Sequence, residues 1–229
     1  MNNIDINYIL DQLEKEFPDA KIQLNYKTPF QLLISIMLSA QSTDIQVNKT
    51  TAKFYDYINS PKDILDIGLD NFKEKIKSIG LYNSKGNNIY KTSNILYTQS
   101  LNLSKNDIKN NLSIIMYEKY GYMISDNLYE LIKFPGVGEK TAKVFLSEYY
   151  KIPTMPVDTH IHRIVNRIGI VKTKREVQTS KILEEIIPNN RKNKAHQLFI
   201  FFGRYQCLAK NPKCKNCLFN NICQYYKNL

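Results

Sequence analysis

The chain has 229 residues, of which 43% are hydrophobic and 23% are charged. This composition is ordinary for a globular protein, so we expect one or two domains and little disorder. The net charge of +11 favours a polyanionic partner such as nucleic acid, although a genome rich in A and T would enrich lysine in the same way.

No targeting or membrane segment is expected. The N-terminus, Met-Asn-Asn-Ile-Asp, has no basic region followed by an apolar run, which argues against a signal peptide. No stretch approaches the ~20 apolar residues of a membrane span. The longest apolar patch, Phe30 to Leu38, is interrupted by Gln31 and Ser35 and indicates a buried helix. We therefore expect a cytoplasmic protein without a membrane partner.

Helical periodicity dominates the chain, which predicts an all-α fold. An apolar face from Ile6 to Phe17 predicts a first helix that ends at Pro18. Thr28 and Pro29 predict the cap and first turn of a buried helix that reaches about residue 40. Further amphipathic segments predict helices at about 43–57, 61–67, 71–79, 83–99, 125–133, 139–150, 158–168, 174–187 and 192–205.

One further helix is predicted between Ser104 and Gly121. Ser104 and Asp107 resemble a capping pair at its start, and Gly121 is a typical C-terminal residue. Its apolar face would consist of Ile108, Leu112, Ile115 and Met116.

A glycine-containing turn joins two predicted helices in the middle of the chain. The first helix, with Ser125 as its expected cap, ends at Pro135, which cannot continue a helix. Gly136 and Gly138 permit positive φ and close approach of a ligand, and Val137 between them is expected to enter the core. The amides at the start of the next helix then point outward, which suits phosphate binding. A plain helix connection is the alternative.

Lys140 lies in the first turn of the helix that begins at about Glu139. The macrodipole there disfavours a cation, and partial burial would act in the same direction. Both effects favour the uncharged amine, which is a usable nucleophile. The alternative is a solvated surface lysine, but such a lysine would be poorly placed for helix stability.

The segment Pro156-Val-Asp-Thr-His opens another predicted helix. Asp158 is placed as its N-cap, a role that explains the residue fully. The same carboxylate could also steady a cation that develops at Lys140 and help to move protons. His160 and His162 lack a companion at metal-ligand spacing, so we expect them to be structural or to lie at a pocket rim.

Four cysteines near the C-terminus form the pattern C-x6-C-x2-C-x5-C; they are Cys207, Cys214, Cys217 and Cys223. Zinc usually takes two short cysteine pairs, and only the middle two residues qualify, so the wide intervals favour an iron–sulfur cube. Two disulfides would need an oxidising compartment. Lys210, Lys213 and Lys215 lie between the cysteines, where they contact phosphates or balance the charge of an anionic cluster.

Together these motifs resemble the endonuclease III family in order and spacing, over residues 28–226. Leu-Ser-Ala-Gln-Ser-Thr-Asp at 38–44 and Ile-Gly-Leu-Tyr-Asn-Ser-Lys at 79–85 belong to the same resemblance. It implies two helical domains and a 4Fe–4S cluster held by the four cysteines. Residues 24–150 would form a helical barrel with a helix–hairpin–helix at about 125–150, and residues 1–23 plus 151–229 would form the cluster domain.

The resemblance further implies a monomeric, bifunctional DNA glycosylase/AP lyase that binds double-stranded DNA with a damaged pyrimidine or an abasic site. The damaged nucleotide would be flipped out of the stack. Lys140 would attack C1′ and form a Schiff base, β-elimination would nick the strand, and Asp158 would be the catalytic carboxylate. Gln41 and Leu81 resemble the residues that fill the gap left by the flipped base, and Asp44 would line the pocket. The other residues expected at the DNA or the pocket are Gly136, Val137, Gly138, His160, Lys210, Lys213 and Lys215. For Leu81 the alternative is an ordinary core leucine.

Two competing functions remain at this point. An adenine glycosylase of the same superfamily would place a glutamate at about Ser35 and lack the lysine nucleophile. A non-catalytic DNA-binding or redox-sensing protein would not need both Lys140 and Asp158. Compared with compact family members, the chain has about twenty extra residues from Leu101 to Tyr120, which affects the outer surface of the barrel and not the chemistry.

Overall fold

The computed structural model describes residues 4–229, and within that range the chain forms 13 α-helices and no strand. The predicted all-α fold class is confirmed. None of the helices in the described range combines the length and the apolar character needed to cross a bilayer. The chain divides into two compact units, one from Gln23 to Tyr150 and one that combines the N-terminal segment up to Ile22 with Lys151–Leu229.

The unit Gln23–Tyr150 contains eight of these helices and one short 3₁₀ helix at Lys105–Asp107. In chain order the helices are α2 (Pro29–Ser39), α3 (Asp44–Thr51), α4 (Pro61–Ile67), α5 (Leu69–Lys75), α6 (Tyr82–Leu101), α7 (Asn111–Tyr120), α8 (Leu128–Leu131) and α9 (Glu139–Glu148).

Helix α2 forms the centre of this unit. Thr28 caps it as predicted, since its hydroxyl accepts a hydrogen bond from the Gln31 amide at 3.1 Å. Every residue from Pro29 to Leu38 is buried. The buried Gln31 side chain donates to the carbonyls of Tyr55 and Ile58, both at 2.8 Å, so its burial leaves the amide satisfied. Helices α3, α6 and α9 all pack against α2.

The extra segment from Leu101 to Tyr120 contains a shorter α-helix than the sequence predicts. Ser104 caps only the 3₁₀ helix, where its hydroxyl accepts from the Asn106 amide at 3.3 Å. Helix α7 begins instead after Asn110, whose side-chain oxygen accepts from Leu112 at 2.8 Å. The prediction of a single helix was wrong because Ile108 lies in extended backbone and Asn110, six residues after Ser104, is an equally good cap.

Helix α7 is held to the end of the hairpin region by buried polar contacts. The Ser113 hydroxyl lies 2.8 Å from the Tyr150 hydroxyl, which itself donates to the Ile124 carbonyl. Met116 is fully buried, whereas Ile115, expected on the apolar face, is 52% exposed. The segment therefore packs on the core through one narrow stripe.

The other unit joins the N-terminal helix to the C-terminal third of the chain. Its helices are α1 (Ile6–Glu16), α10 (Thr159–Ile168), α11 (Glu176–Ile186), α12 (Lys192–Tyr205) and α13 (Gln224–Lys227), with 3₁₀ helices at Asn189–Arg191 and Cys214–Asn216. Helix α1 packs on α12, and Arg191 pairs with Asp11 of α1 at 2.7 Å. A buried apolar cluster that includes Leu10, Ile161 and Phe199 forms the core.

Helices α10 and α12 pack closely at Gly203. A Cβ at this glycine would lie 2.9 Å from the Cδ1 of Ile164, so the small residue allows the close approach. The assignment of the two units as domains, 24–150 and 1–23 plus 151–229, stays a prediction.

Candidate active site

The glycine turn has the predicted location but uses its two glycines differently. Gly136 adopts a φ of +78°, whereas Gly138 has a φ of −84° in extended backbone. Only Gly136 therefore uses the positive φ that glycine permits. A Cβ at Gly138 would meet no atom within 4 Å, so this glycine leaves the backbone uncovered. Val137 is buried, with 4% of its surface exposed, as predicted.

The helix before the turn is shorter than predicted and has a different cap. Asn127, not Ser125, caps α8, because its side-chain oxygen accepts from the amides of Tyr129 and Glu130 at 2.8 and 3.3 Å. Ser125, two residues earlier, accepts from the Asn127 amide at 3.1 Å. Ser125 thus orients the capping residue, and α8 keeps a single turn before the chain reaches Pro135.

Lys140 is the second residue of α9, directly after the turn. Gly138 is the N-cap of this helix and carries no side chain that could accept from the first amides. Lys140 is exposed, so the partial burial that the sequence analysis considered is not present. The macrodipole remains, and an exposed amine at a positive helix end is accessible to a substrate.

Further along α9, Lys143 is a buried lysine with a local partner. Its ammonium pairs with Glu139 at 2.8 Å across one helical turn. This pair places a negative charge in the first turn of α9, where an acid stabilises the helix. The pair of Glu139 and Lys143 therefore contributes to the stability of α9.

Asp158 caps α10 as predicted, with its Oδ1 accepting from the Ile161 amide at 2.9 Å. Its second oxygen, Oδ2, lies 3.4 Å from the Nδ1 of His160. The carboxylate is mostly buried, with 15% of the side chain exposed, whereas His160 is 39% exposed. The two oxygens thus face different partners, so capping by one does not preclude a chemical role for the other.

His162 has a structural environment. Its Nδ1 lies 2.7 Å from the Thr179 hydroxyl and 3.2 Å from the side-chain nitrogen of Asn166. Thr179 is fully buried, so the ring joins α10 to α11. This agrees with the structural role expected for His162.

Gln41 and Leu81 share an unusual backbone conformation. Their φ angles are +56° and +59°, in the left-handed region that non-glycine residues seldom adopt. Leu81 is 62% exposed, so the core-leucine alternative is wrong. Such outliers persist only where the surrounding structure holds them and are frequent at functional sites. Asp44, three residues after Gln41, is the first residue of α3 and is half-buried.

The four cysteines line one cavity that opens to solvent. All four are free thiols. Burial, then the neighbouring cysteines, raises the pKa of Cys214, and burial above all raises the pKa of Cys217 to about 11. Among residues 4–229 no three His, Cys, Asp or Glu side chains are arranged to hold a single metal ion. In an iron–sulfur cube each thiolate binds a different iron around a central space, and thiols spread around a cavity suit that arrangement.

Two arginines of α10 support the loop that carries Cys207. Arg167 donates to the Leu208 carbonyl at 2.6 Å, and its Nη1 lies 3.7 Å from the Cys207 sulfur. Arg163 donates to the Cys207 carbonyl at 2.8 Å. The sequence reading missed both residues, although two arginines at i, i+4 spacing on the helix after Asp158 were a visible signal.

The loop lysines Lys210, Lys213 and Lys215 are exposed. The backbone of this loop is fixed independently of their side chains, because the Gln206 side chain donates to the Lys213 carbonyl at 2.6 Å and the Asn220 side chain donates to the Lys215 carbonyl at 3.2 Å. Their ammonium groups are thus available at a defined surface.

Known proteins resemble this chain over nearly its whole length. The HhH-GPD superfamily of base excision DNA repair proteins matches residues 34–189. Endonuclease III of Escherichia coli K12 is 38% identical over 217 residues, covering 95% of this chain and 93% of the relative. Endonuclease III of Haemophilus influenzae is 39% identical over the same shares. A solved non-covalent endonuclease III–DNA complex matches with a TM-score of 0.84 and 34% identity, covering 100% of this chain and 98% of that one.

The chain belongs to the endonuclease III family. It is accordingly a bifunctional DNA glycosylase/AP lyase of base excision repair. The endonuclease III family carries a 4Fe–4S cluster. A second solved structure with the same TM-score of 0.84 and 34% identity is a trapped endonuclease III–DNA covalent intermediate.

Membership in the endonuclease III family agrees with the surroundings of Ser35. An adenine glycosylase would have a glutamate at about this position. Ser35 is instead fully buried, and its hydroxyl lies 2.7 Å from the Tyr55 hydroxyl inside the core. The position therefore serves packing in this chain.

Three polar residues of α6 contact site elements and were missed in the sequence reading. Lys85 donates to the Leu38 carbonyl at 2.8 Å. Asn88 lies against Gly136, and the Thr92 hydroxyl donates to the Pro135 carbonyl at 3.1 Å. Their i, i+3, i+7 spacing on one helix face was a usable signal, but their partners lie more than forty residues away in sequence and could not be inferred.

Proposed function

We propose that this chain acts on double-stranded DNA that contains a damaged pyrimidine or an abasic site, with Lys140 as the nucleophile. The position of Lys140 carries the proposal: it is exposed in the first turn of α9, directly after the turn at Gly136. The two endonuclease III structures at 34% identity are complexes with DNA, one of them covalent, which supports the same chemistry here.

In the glycosylase step the Lys140 amine forms a bond to C1′ while the bond from C1′ to the base nitrogen breaks. The base leaves with the proton that the new ammonium gives up. The C1′–O4′ bond then breaks as O4′ takes up a proton from water, which opens the sugar ring and produces an iminium between Lys140 and C1′. In the lyase step a C2′ proton is lost and the C3′–O bond breaks, which nicks the strand. Water then hydrolyses the imine and restores the amine.

Asp158 would be the carboxylate that steadies the cationic intermediate and accepts protons. Its Oδ1 is committed to the Ile161 amide at 2.9 Å, which fixes the orientation of the group. A carboxylate held in this way needs no reorganisation when positive charge develops. The Nδ1 of His160 lies 3.4 Å from Oδ2, and His160 stays a proposal as a substrate-contacting residue, as does Asp44.

The hairpin would bind DNA through its exposed residues Gly136 and Gly138, since amides at a helix start bind phosphate. Val137 would anchor this turn from inside the core, where it is 4% exposed. Gln41 and Leu81 would fill the gap left by the flipped nucleotide, because both side chains are exposed and both residues have a left-handed backbone conformation. An exposed leucine of this kind is a suitable wedge between bases.

The four cysteines that line the cavity would hold the 4Fe–4S cluster of the family. The bound cluster would cross-link the C-terminal loop through four thiolates and so order a segment with little apolar core of its own. The three loop lysines would then contact phosphates from a fixed backbone.

Borohydride trapping tests the proposal. A duplex with one abasic site is incubated with the protein and sodium borohydride, which reduces an imine to a stable amine. We expect a covalent protein–DNA adduct that requires both the abasic site and the reductant. Strand cleavage without any trappable adduct would contradict a lysine Schiff base. The monomeric state and the cytoplasmic location stay predictions. Light scattering of the purified protein and its DNA complex checks the monomeric state.

A further inference from the structure

Lys85 is a buried lysine in the second turn of α6. Only 8% of it is exposed. Its ammonium donates to the Leu38 carbonyl at 2.8 Å and to the Ser42 hydroxyl at 3.2 Å. These two partners lie on either side of Gln41, at the end of α2 and in the short connection to α3.

The positive charge of Lys85 is unfavourable at the start of its own helix, α6, and favourable at the end of the neighbouring helix, α2. The start of α6 carries the positive end of that helix dipole, which disfavours a cation. The Leu38 carbonyl is one of the last four of α2, where carbonyls lack helical partners and the dipole favours a cation. Burial lowers the pKa of Lys85. The residue thus satisfies the end of α2 from another helix.

The connection that carries Gln41 and the one that carries Leu81 lie side by side. A Cβ at Gly80 would be 3.9 Å from both the Gln41 carbonyl and the Ser42 hydroxyl. On the other side, the Thr50 hydroxyl of α3 lies 2.9 Å from the Ser78 hydroxyl. Lys85 links the Gln41 connection to the start of α6, directly after the connection that carries Leu81.

We propose that Lys85 is a positioning residue that locks the Gln41 connection to the start of α6, so that Gln41 and Leu81 enter DNA as one rigid pair. This inference rests on the gap-filling role proposed for Gln41 and Leu81. Both residues occupy a backbone conformation that is unfavourable for them and needs support from neighbours. A preorganised pair avoids the ordering that two mobile side chains would undergo on binding.

The test is a double-mutant cycle in the full-length, cluster-containing protein. Lys85→Met removes the donor and the charge but keeps most of the side-chain volume. Lys91→Met, an exposed lysine of the same helix, is the matched control for lost charge. The readout is the single-turnover rate of base release from a duplex with one thymine glycol, measured with protein in excess.

We expect Lys85→Met to slow base release by about tenfold and Lys91→Met to change it by less than about twofold. In a Leu81→Ala background, Lys85→Met should slow release by less than about threefold further, because residues that act through one another are not additive. A rate equal to wild type for Lys85→Met, or the same tenfold loss in the Leu81→Ala background, would overturn the inference.

The cycle also separates this inference from the proposed function. A slow Leu81→Ala with an unaffected Lys85→Met rejects only the positioning role. A Leu81→Ala rate equal to wild type rejects the gap-filling role itself, and the positioning role with it. If Lys85→Met does not fold, Ser42→Ala removes one acceptor at a half-buried position; a rate about threefold slower with unchanged melting supports the inference, and a wild-type rate overturns it.

Discussion

Gly136 in the hairpin turn packs directly against Asn88 of α6, so closely that an added Cβ would come within 2.8 Å of the Asn88 Cβ. The same glycine has a φ of +78°. Helix α6 begins at Tyr82, directly after its N-cap Leu81, and touches the hairpin at Asn88 in its second turn. The position of the turn depends on a glycine for both space and backbone conformation.

We predict that Gly136→Ala destabilises the protein and weakens its binding to DNA. A left-handed alanine costs about 1–2 kcal/mol, and displacement of Asn88 adds to that. Thermal melting checks the first effect, and binding to a duplex with an abasic-site analogue checks the second.

Gly138→Ala is the matched control. Because Gly138 has a φ of −84° and open space around it, alanine should change stability by less than about 1 kcal/mol. Weaker DNA binding at unchanged melting would then report close approach of DNA to this backbone. Unchanged binding would contradict the proposed contact at Gly138.

Asp158→Asn should slow turnover far more than it lowers stability. An asparagine oxygen can still accept from the Ile161 amide, so the loss of capping should be a few tenths to ~1 kcal/mol. The rate of base release per folded molecule, set beside the melting temperature, separates the two roles. A steep fall in melting with an unchanged rate would make Asp158 a structural residue only.

The sequence predicted a helix cap correctly where only one residue at the start of the helix was suited to that role. Thr28 before Pro29 and Asp158 before α10 were identified as caps, and both accept the expected hydrogen bonds. Where several capping residues lie close together, the choice failed. Asn127 caps α8 instead of Ser125, and the sequence alone cannot rank two good caps two residues apart.

Long-range contacts were beyond the sequence for a different reason. Leu81 is exposed and has a left-handed backbone conformation. The local sequence did not predict this conformation, because leucine rarely adopts it. Lys85 bonds to a carbonyl 47 residues away. Its place in the first two turns of a helix was visible, but its partner depends on how α2 and α6 pack.

The purified protein should be yellow-brown and contain about four iron atoms per chain, as a cube held by four thiolates requires. Cys214→Ser should lower the iron content and increase proteolysis of the segment after Tyr205. Elemental analysis and limited digestion measure these effects. Colourless protein with one zinc per chain would contradict the iron assignment.

Binding to undamaged duplex should weaken steeply with salt, with a slope of about −3 to −6 in log K against log salt. Changing Lys210, Lys213 and Lys215 together to Ala should flatten that slope, because each lost phosphate contact removes roughly 0.9. The loop backbone should persist, since Gln206 and Asn220 bond to its carbonyls. An unchanged slope at normal iron content would assign these lysines to charge balance alone.

The central claim is tested most directly by borohydride trapping with Lys140→Gln. The variant should bind a duplex with an abasic-site analogue nearly as well as wild type but give no covalent adduct. Lys172→Gln, which changes another exposed lysine, should trap normally. Mass spectrometry of the wild-type adduct should locate the sugar on the Lys140 Nζ. An adduct of normal yield with Lys140→Gln, or modification at a different lysine, would contradict the assignment of the nucleophile.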